Sequence, residues 1–100
     1  MNVANDFIGK YVIIRSYASG VHFGVLEAFD EYKNVLLKDT RRIWSWKNVF
    51  TLSEVSVSGI EEGKMSVLIP RMLVCEICEI IPCSAEAIEK LRGMKVYEPE

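Results

Sequence analysis

Four short segments that favour β-structure lie between Lys10 and Trp46; turns of only a few residues separate the first three, and the fourth follows the third at once. The segments are rich in β-branched and aromatic residues, which favour strands. Strands joined by such short turns pair with their chain neighbours in an antiparallel meander. The sequence therefore predicts a sheet that curls toward a small barrel, with strands at 10–17, 21–30, 35–39 and 40–46.

The second half of the chain mixes helical and strand patterns. It predicts one or two helical turns around 49–57, a short edge strand at 65–69, a long buried strand at 71–82, and a helix that starts after Ser84 and stops at Gly93. We therefore expect a mainly β (α+β) fold, a small antiparallel sheet or partly open barrel with one or two short helices. The 100 residues make a single domain over 1–100, with loose ends near 1–6 and 95–100.

Charge and hydropathy narrow the classes of partner. The net charge of -2 argues against broad binding to a nucleic-acid backbone, which usually needs a basic excess. An anionic partner must therefore be small, or be met by a local cluster of arginines. The first residues do not form a secretory signal, and no apolar run reaches the length of a membrane span, so we expect a cytoplasmic protein.

The segment Thr40–Trp46 holds two adjacent arginines and both tryptophans of the chain. Side chains alternate along a strand, so Arg42, Trp44 and Trp46 should share one face. The planar guanidinium of arginine suits phosphate, and indole offers a flat surface to a base or a cation. The alternative interpretation is that the tryptophans are core or subunit-contact residues and that the arginines pair with acidic neighbours.

Catalytic signals are sparse. His22 is the chain's single histidine, and the pattern predicts an exposed strand residue or a ligand contact rather than a general base. Cys75 and Cys78 form a C-x-x-C, but they would point to opposite faces of a strand, so no metal site is predicted. No glycine-rich phosphate loop or nucleophile elbow is present. We therefore expect a binding protein without catalytic residues or a cofactor.

One part of the sequence resembles the Sm-like proteins that form RNA-binding rings. The similar positions are Gly24, Leu26, Asp30, Asn34, Val35, Leu37 and Asp39, which follow the first Sm motif. In that family the Asp and Asn lie near a bound base. The second Sm motif, an Ile-Arg-Gly followed by a closing strand, is absent from this chain.

A wider resemblance is to the phage Thoeris anti-defence sponges, small proteins that capture the cyclic ADP-ribose signals of the bacterial Thoeris system without cleaving them. The segments that carry it are Gly9–Tyr17, Gly20–Gly24, Arg41–Trp46, Thr51–Ser53 and Glu79–Cys83. The Arg-Arg-Ile-Trp-x-Trp block is the most specific of them. The chain differs from the family after the second tryptophan, where Lys47–Phe50 replaces an alanine-rich segment.

The sponge resemblance implies a homo-oligomer, a dimer or a trimer of dimers (hexamer), that sequesters cyclic ADP-ribose isomers such as glycocyclic ADP-ribose in the host cytoplasm. Some members also hold cyclic oligonucleotides, which adds cyclic di- or trinucleotides to the candidate partners. A diphosphate calls for cations and a purine calls for a stacking surface. The candidate ligand-binding residues are Arg15, Arg41, Arg42 and Arg71 for the phosphates, and Phe23, Trp44 and Trp46 for the base.

Overall fold

The computed structural model describes residues 3–17, 19–30, 33–46, 51–60 and 63–96. A 3-10 turn covers Val3–Phe7, mostly within the segment that the sequence places in a loose end. Within the described ranges six strands and two helices follow: β1 (Tyr11–Ser16), β2 (Gly20–Phe29), β3 (Val35–Trp46), α1 (Leu52–Ser58), β4 (Gly63–Met65), β5 (Ile69–Val74), β6 (Ile77–Pro82) and α2 (Ala85–Gly93). Neither helix in these ranges has the length and apolar character needed to cross a bilayer.

The strands pair in one antiparallel sheet. Its order is β4-β3-β2-β1-β6, and β5 also pairs with β3. The first half of β3 pairs with β5 and its last residues pair with β4, so β3 supports both strands at this end of the sheet, and β6 forms the other end. The predicted fold class, a mainly antiparallel sheet with short helices, is confirmed.

β3 is a single strand of 12 residues, whereas the sequence predicted two strands at 35–39 and 40–46. Asp39, at the predicted junction, has a φ of 49°. The pairing register with β2 shifts opposite this point, between Phe23 and Val25. A bulge of this kind bends a strand without ending it. The two predicted strands are therefore continuous.

The prediction of one strand over 71–82 is wrong, because this segment forms two strands that pair with different neighbours, β5 with β3 and β6 with β1. β5 ends at Val74, β6 begins at Ile77, and Cys75 and Glu76 connect them. Glu76 has a φ of 54°, in the left-handed region that an extended strand does not adopt. Glycine or asparagine is the usual residue at such a position. Neither residue occurs at this connection, and the sequence therefore reads as one continuous apolar run.

β1 contributes side chains to two cores, one on each face of the sheet. Val12 and Ile14 pack with Leu26, Leu37 and other residues in the first core. Ile13 belongs to the second core, on the face that α1 and α2 cover. The members of this second core are Ile13, Phe23, Ile43, Val55, Ile60, Met65, Ala87 and Leu91.

Both helices begin at a hydroxyl side chain. Thr51 Oγ1 accepts a 3.1 Å hydrogen bond from the amide of Glu54, and Ser84 Oγ accepts one of 3.1 Å from the amide of Ala87. These are the N-caps of α1 and α2. Ser84 Oγ also donates to the carbonyl of Val57, so the N-cap of α2 is joined to the end of α1. The predicted start of α2 after Ser84 is confirmed.

Candidate functional site

A cavity of about 420 Å³ lies where the C-terminal end of α2 meets β1, β2 and β3. Tyr11 and Phe23 form one part of its wall. Their rings stack with centroids 5.1 Å apart and planes 14° apart. They come from paired strands, at diagonal positions that bring large side chains into contact. The other residues of the wall are Asp39, Arg41, Leu68, Arg92, Met94 and Val96.

Arg41 is buried, with 4% of its surface exposed, and it joins three parts of the chain. Its Nε donates to the carbonyl of Ser66 at 2.9 Å, and its Nη1 donates to the carbonyls of Leu91 at 3.0 Å and Arg92 at 3.4 Å. The last carbonyls of a helix have no partner within the helix and carry partial negative charge. Arg41 is a residue of the sheet, and it thus caps the C-terminal end of α2.

The positive charge of Arg41 has no carboxylate partner among the described residues. Burial lowers the pKa of the guanidinium from its ordinary value, although arginine stays charged in proteins. Its Nη2 is shielded from solvent and has no hydrogen-bond partner within the described part of the chain. A buried charge without an opposite charge is costly. An anion bound in the adjoining cavity would offset part of that cost.

Two further charged groups lie in the wall of the cavity. Arg92 places its Cζ 5.7 Å from the centroid of the Tyr11 ring, within the range of a cation–π contact. Asp39 adds a carboxylate at the bulge of β3. The cavity thus combines two cations and one carboxylate with stacked aromatic rings. A ligand that matches it has an anionic group, hydrogen-bond donors and a planar ring.

The Arg-Trp block is only partly at this cavity. Phe23 and Arg41 line it, whereas Arg42, Trp44 and Trp46 are not among its lining residues. Arg42 follows Arg41 in the strand, so its side chain faces the other side of the sheet. In the pairing register of β2 and β3 it lies opposite His22. Trp44 is 54% exposed, and the side chain of Trp46 lies outside the described residues.

The other two candidate phosphate ligands form surface ion pairs. Arg15 Nε lies 3.6 Å from a carboxylate oxygen of Glu79, and Arg71 Nε lies 3.2 Å from one of Glu27. Neither arginine lines the cavity. Both of these arginines therefore pair with acidic side chains on the surface, away from the cavity.

His22 is fully buried, which corrects the prediction of an exposed or ligand-contacting residue. It lies between Ile14 of β1 and Arg42 of β3. Neither ring nitrogen has a hydrogen-bond partner among the described residues. Burial, and then the charge of Arg42, lowers the pKa of His22 to about 4. The imidazole is therefore neutral at physiological pH and does not contact the cavity.

Sequence reasoning missed most of the cavity wall. Tyr11 and Asp39 lie in predicted strands, but nothing in their spacing relates them to Arg92, which is some fifty or more residues away at the end of a helix. Only the packing of α2 on the sheet joins these groups. The one sequence feature that pointed to this wall was weak: a tyrosine at the start of a strand. Among the described residues no group of three His, Cys, Asp or Glu side chains is placed to hold a metal ion.

Comparison with solved structures places the fold near that of Sm proteins. A heptameric archaeal Sm protein is similar with a TM-score of 0.55 and 25% identity, over 79% of this chain and 93% of that one. The SmAP1 heptamer of P. aerophilum is similar with a TM-score of 0.56 and 24% identity, over 80% of this chain and 86% of that one. No curated protein matches the chain. Residues 9–91 match a family described as "Domain of unknown function (DUF6948)", and the chain belongs to that family.

Proposed function

We propose that this protein binds a cyclic ADP-ribose-type nucleotide in the cavity and holds it uncleaved. One observation carries the proposal: the buried, unpaired cation of Arg41 lies in the same wall as the stacked rings of Tyr11 and Phe23. Arginine suits the diphosphate, and an aromatic surface suits the purine. The cavity volume of about 420 Å³ is in the range of small-molecule sites.

Arg92 supplies the second cation for this ligand. Its guanidinium lies at the cavity over the Tyr11 ring, and its side chain is exposed to solvent. A solvent-exposed arginine can turn toward an incoming phosphate at little cost, whereas Arg41 is fixed by its bonds to Ser66 and Leu91. Arg41 therefore supplies a fixed positive charge near the diphosphate, and Arg92 supplies a cation that can move to contact it.

The composition of the wall supports binding without turnover. The described lining residues include no Ser, Thr, Cys, Lys or His, and His22 is on the other side of the sheet. A cleaving enzyme needs a nucleophile and a base that converge on the ligand, which leaves Asp39 and Tyr11 to supply both. Together with the resemblance to the Thoeris anti-defence sponges, this leads us to propose a phage protein that sequesters the signal in the host cytoplasm and so blocks activation of the Thoeris effector.

We further propose that the protein is a homo-oligomer. β5 pairs only with β3 and β6 only with β1 among the described strands, so each has an edge available for a second chain. Val67, Leu68 and Leu73 expose more than half of their surface in and before β5. Such apolar side chains beside an open strand edge are typical of subunit contacts. Two structurally similar proteins are heptamers.

The direct test is calorimetric titration of the protein with cyclic ADP-ribose and with glycocyclic ADP-ribose, followed by heating to unfold the protein. We expect saturable binding of at least one isomer, and release of that isomer unchanged on heating. A linear ADP-ribose product would mean that the protein is an enzyme. If the folded oligomer binds neither isomer, the proposal is wrong.

An RNA-binding ring is the second candidate, and the Sm-like fold is the observation that favours it. The Sm-like Asp and Asn bond to each other: the amide of Asn34 donates to Asp30 Oδ1 at 3.0 Å, and Asn34 Nδ2 donates to Asp30 Oδ2 at 3.1 Å. A ring on RNA contacts several phosphates and loses affinity steeply as salt rises. One diphosphate in a cavity depends on salt weakly. Tight, steeply salt-dependent binding of a uridine-rich RNA would favour the ring.

A further inference from the structure

Asp39 brings a carboxylate to the cavity from an unfavourable backbone position. Its φ of 49° lies in the left-handed region, which is rare for a residue within a strand. The side chain is exposed, and it makes no hydrogen bond or ion pair with another described residue. Arg41 and Arg92 line the same cavity, yet neither is paired with it. The carboxylate is thus available to a ligand.

The left-handed backbone conformation of Asp39 has a local cause. A Cβ on Gly24 would lie 2.9 Å from the side chain of Thr40, so β2 and β3 approach closely next to Asp39. The bulge accommodates this approach and changes the direction of the side chains that follow it. Aspartate tolerates the left-handed region better than most residues, and backbone strain retained beside a cavity often accompanies a binding role.

We propose that Asp39 is a specificity-determining residue, which accepts hydrogen bonds from a ribose hydroxyl of the ligand and rejects nucleotides that carry an added phosphate there. This rests on the proposed nucleotide-binding function. An ionised carboxylate only accepts hydrogen bonds, so the ligand group that faces it must donate. Ribose hydroxyls donate, and acidic side chains bind them in other nucleotide sites.

The charges around the cavity support different roles for the two arginines and for Asp39. Arg41 and Arg92 attract the diphosphate, while Asp39 places a negative charge in the same wall. A phosphate added to the ribose would bring a second negative charge close to that of Asp39. Such a repulsive contact discriminates between ligands that share every other group. The expected selectivity is for an unmodified ribose over its phosphorylated form.

The experiment compares cyclic ADP-ribose with 2′-phospho-cyclic ADP-ribose on the full oligomer. Asp39→Asn removes the charge and keeps a residue that tolerates the left-handed region. Asp39→Gly removes the side chain and relieves the backbone. Glu76→Gln and Glu76→Gly are matched controls, since Glu76 also has a positive φ of 54°, is exposed, and does not line the cavity. Melting temperatures are measured first for all variants.

We expect the parent and both Glu76 variants to prefer cyclic ADP-ribose by about tenfold or more, from one charge-assisted contact. Both Asp39 variants should reduce that preference to within about threefold. Retention of the preference in folded Asp39 variants, or no preference in a parent that binds both ligands, would overturn the role of Asp39. A parent that binds neither ligand would instead overturn the nucleotide-binding function, and the role of Asp39 with it.

Discussion

Arg41 donates a 3.0 Å hydrogen bond from Nη1 to the carbonyl of Leu91, so a strand residue closes the C-terminal end of α2. The same guanidinium holds the carbonyl of Ser66. This places Arg41 in two roles, as a structural link between the sheet and the helix and as the buried charge of the cavity. If the cavity binds the proposed ligand, a variant of Arg41 should change stability as well as binding.

Arg41→Lys should lower the free energy of unfolding by about 1.5–3 kcal/mol, because a lysine cannot reproduce the fork that bonds to Ser66 and Leu91 together. Urea unfolding followed by circular dichroism measures this. The control is Arg71→Ala, which removes an exposed ion pair and should change the value by no more than about 1 kcal/mol. Equal midpoints for the parent and Arg41→Lys would show that these bonds contribute nothing to stability.

Gly24→Ala should destabilise the fold by about 1–3 kcal/mol. The added Cβ would lie 2.9 Å from both Cβ and Oγ1 of Thr40, and 3.0 Å from its Cα, so the neighbouring strand must shift. The same shift would strain the hydrogen bond of 2.9 Å from Thr40 Oγ1 to the carbonyl of Phe23. The free energy of unfolding, from urea titration, checks this.

Gly93→Ala is the matched control for the glycine variant. A Cβ at that position meets no atom within 4 Å, and Gly93 is the last residue of α2. We expect its stability to equal or slightly exceed that of the parent, because alanine favours the helix. If Gly24→Ala proves as stable as Gly93→Ala, the close approach of β2 and β3 is not a real constraint.

His22 should make the fold less stable in acid. Its pKa is lowered from 6.5 to about 4 in the folded protein, so the unfolded chain binds the proton first. The contribution of the neutral imidazole is fully present above pH 6.5 and is lost as pH falls toward 4. For one proton the limiting slope is about 1.4 kcal/mol per pH unit. The measurement is the unfolding free energy as a function of pH.

His22→Leu isolates this effect from the carboxylates that also titrate in acid. Leucine fills a similar volume without the two unpartnered ring nitrogens, so the variant should lose stability less steeply below pH 6.5. The difference between the two curves is the contribution of His22. Parallel curves for the parent and the variant would contradict the assignment of a buried, neutral histidine.

The sequence predicted β1, β2 and both helices because their signals are local, whereas the edge strand predicted at 65–69 covers only the end of β4 and the start of β5. The run of β-branched residues that became β1 and the N-cap Ser84 each lie within a few residues of the element they define. The break between β5 and β6 at Glu76 was missed because no glycine marks it. The cavity was missed for a different reason: Tyr11 and Arg92 meet only through the packing of α2 on the sheet, which no local pattern encodes.

The alternation of side chains along a strand explains which part of the Arg-Trp block could be predicted. It correctly placed Arg41 and Ile43 on the opposite face from Trp44, and the structure buries the first two and exposes the third. Which face would be covered by helices depends on contacts with distant segments. The sequence therefore identified the arginine-rich strand, but it did not show that Arg41 would be the buried member.

Arg92→Ala should weaken binding of cyclic ADP-ribose by about tenfold to a hundredfold, from the loss of one charge-assisted contact to the diphosphate. The side chain is exposed, so the melting temperature should change little. Arg15→Ala and Arg71→Ala test the competing assignment made from the sequence, because these two arginines are ion-paired on the surface away from the cavity. Calorimetric titration of the three folded variants separates the two sites. Weakened binding in Arg15→Ala or Arg71→Ala, with Arg92→Ala equal to the parent, would move the ligand out of this cavity.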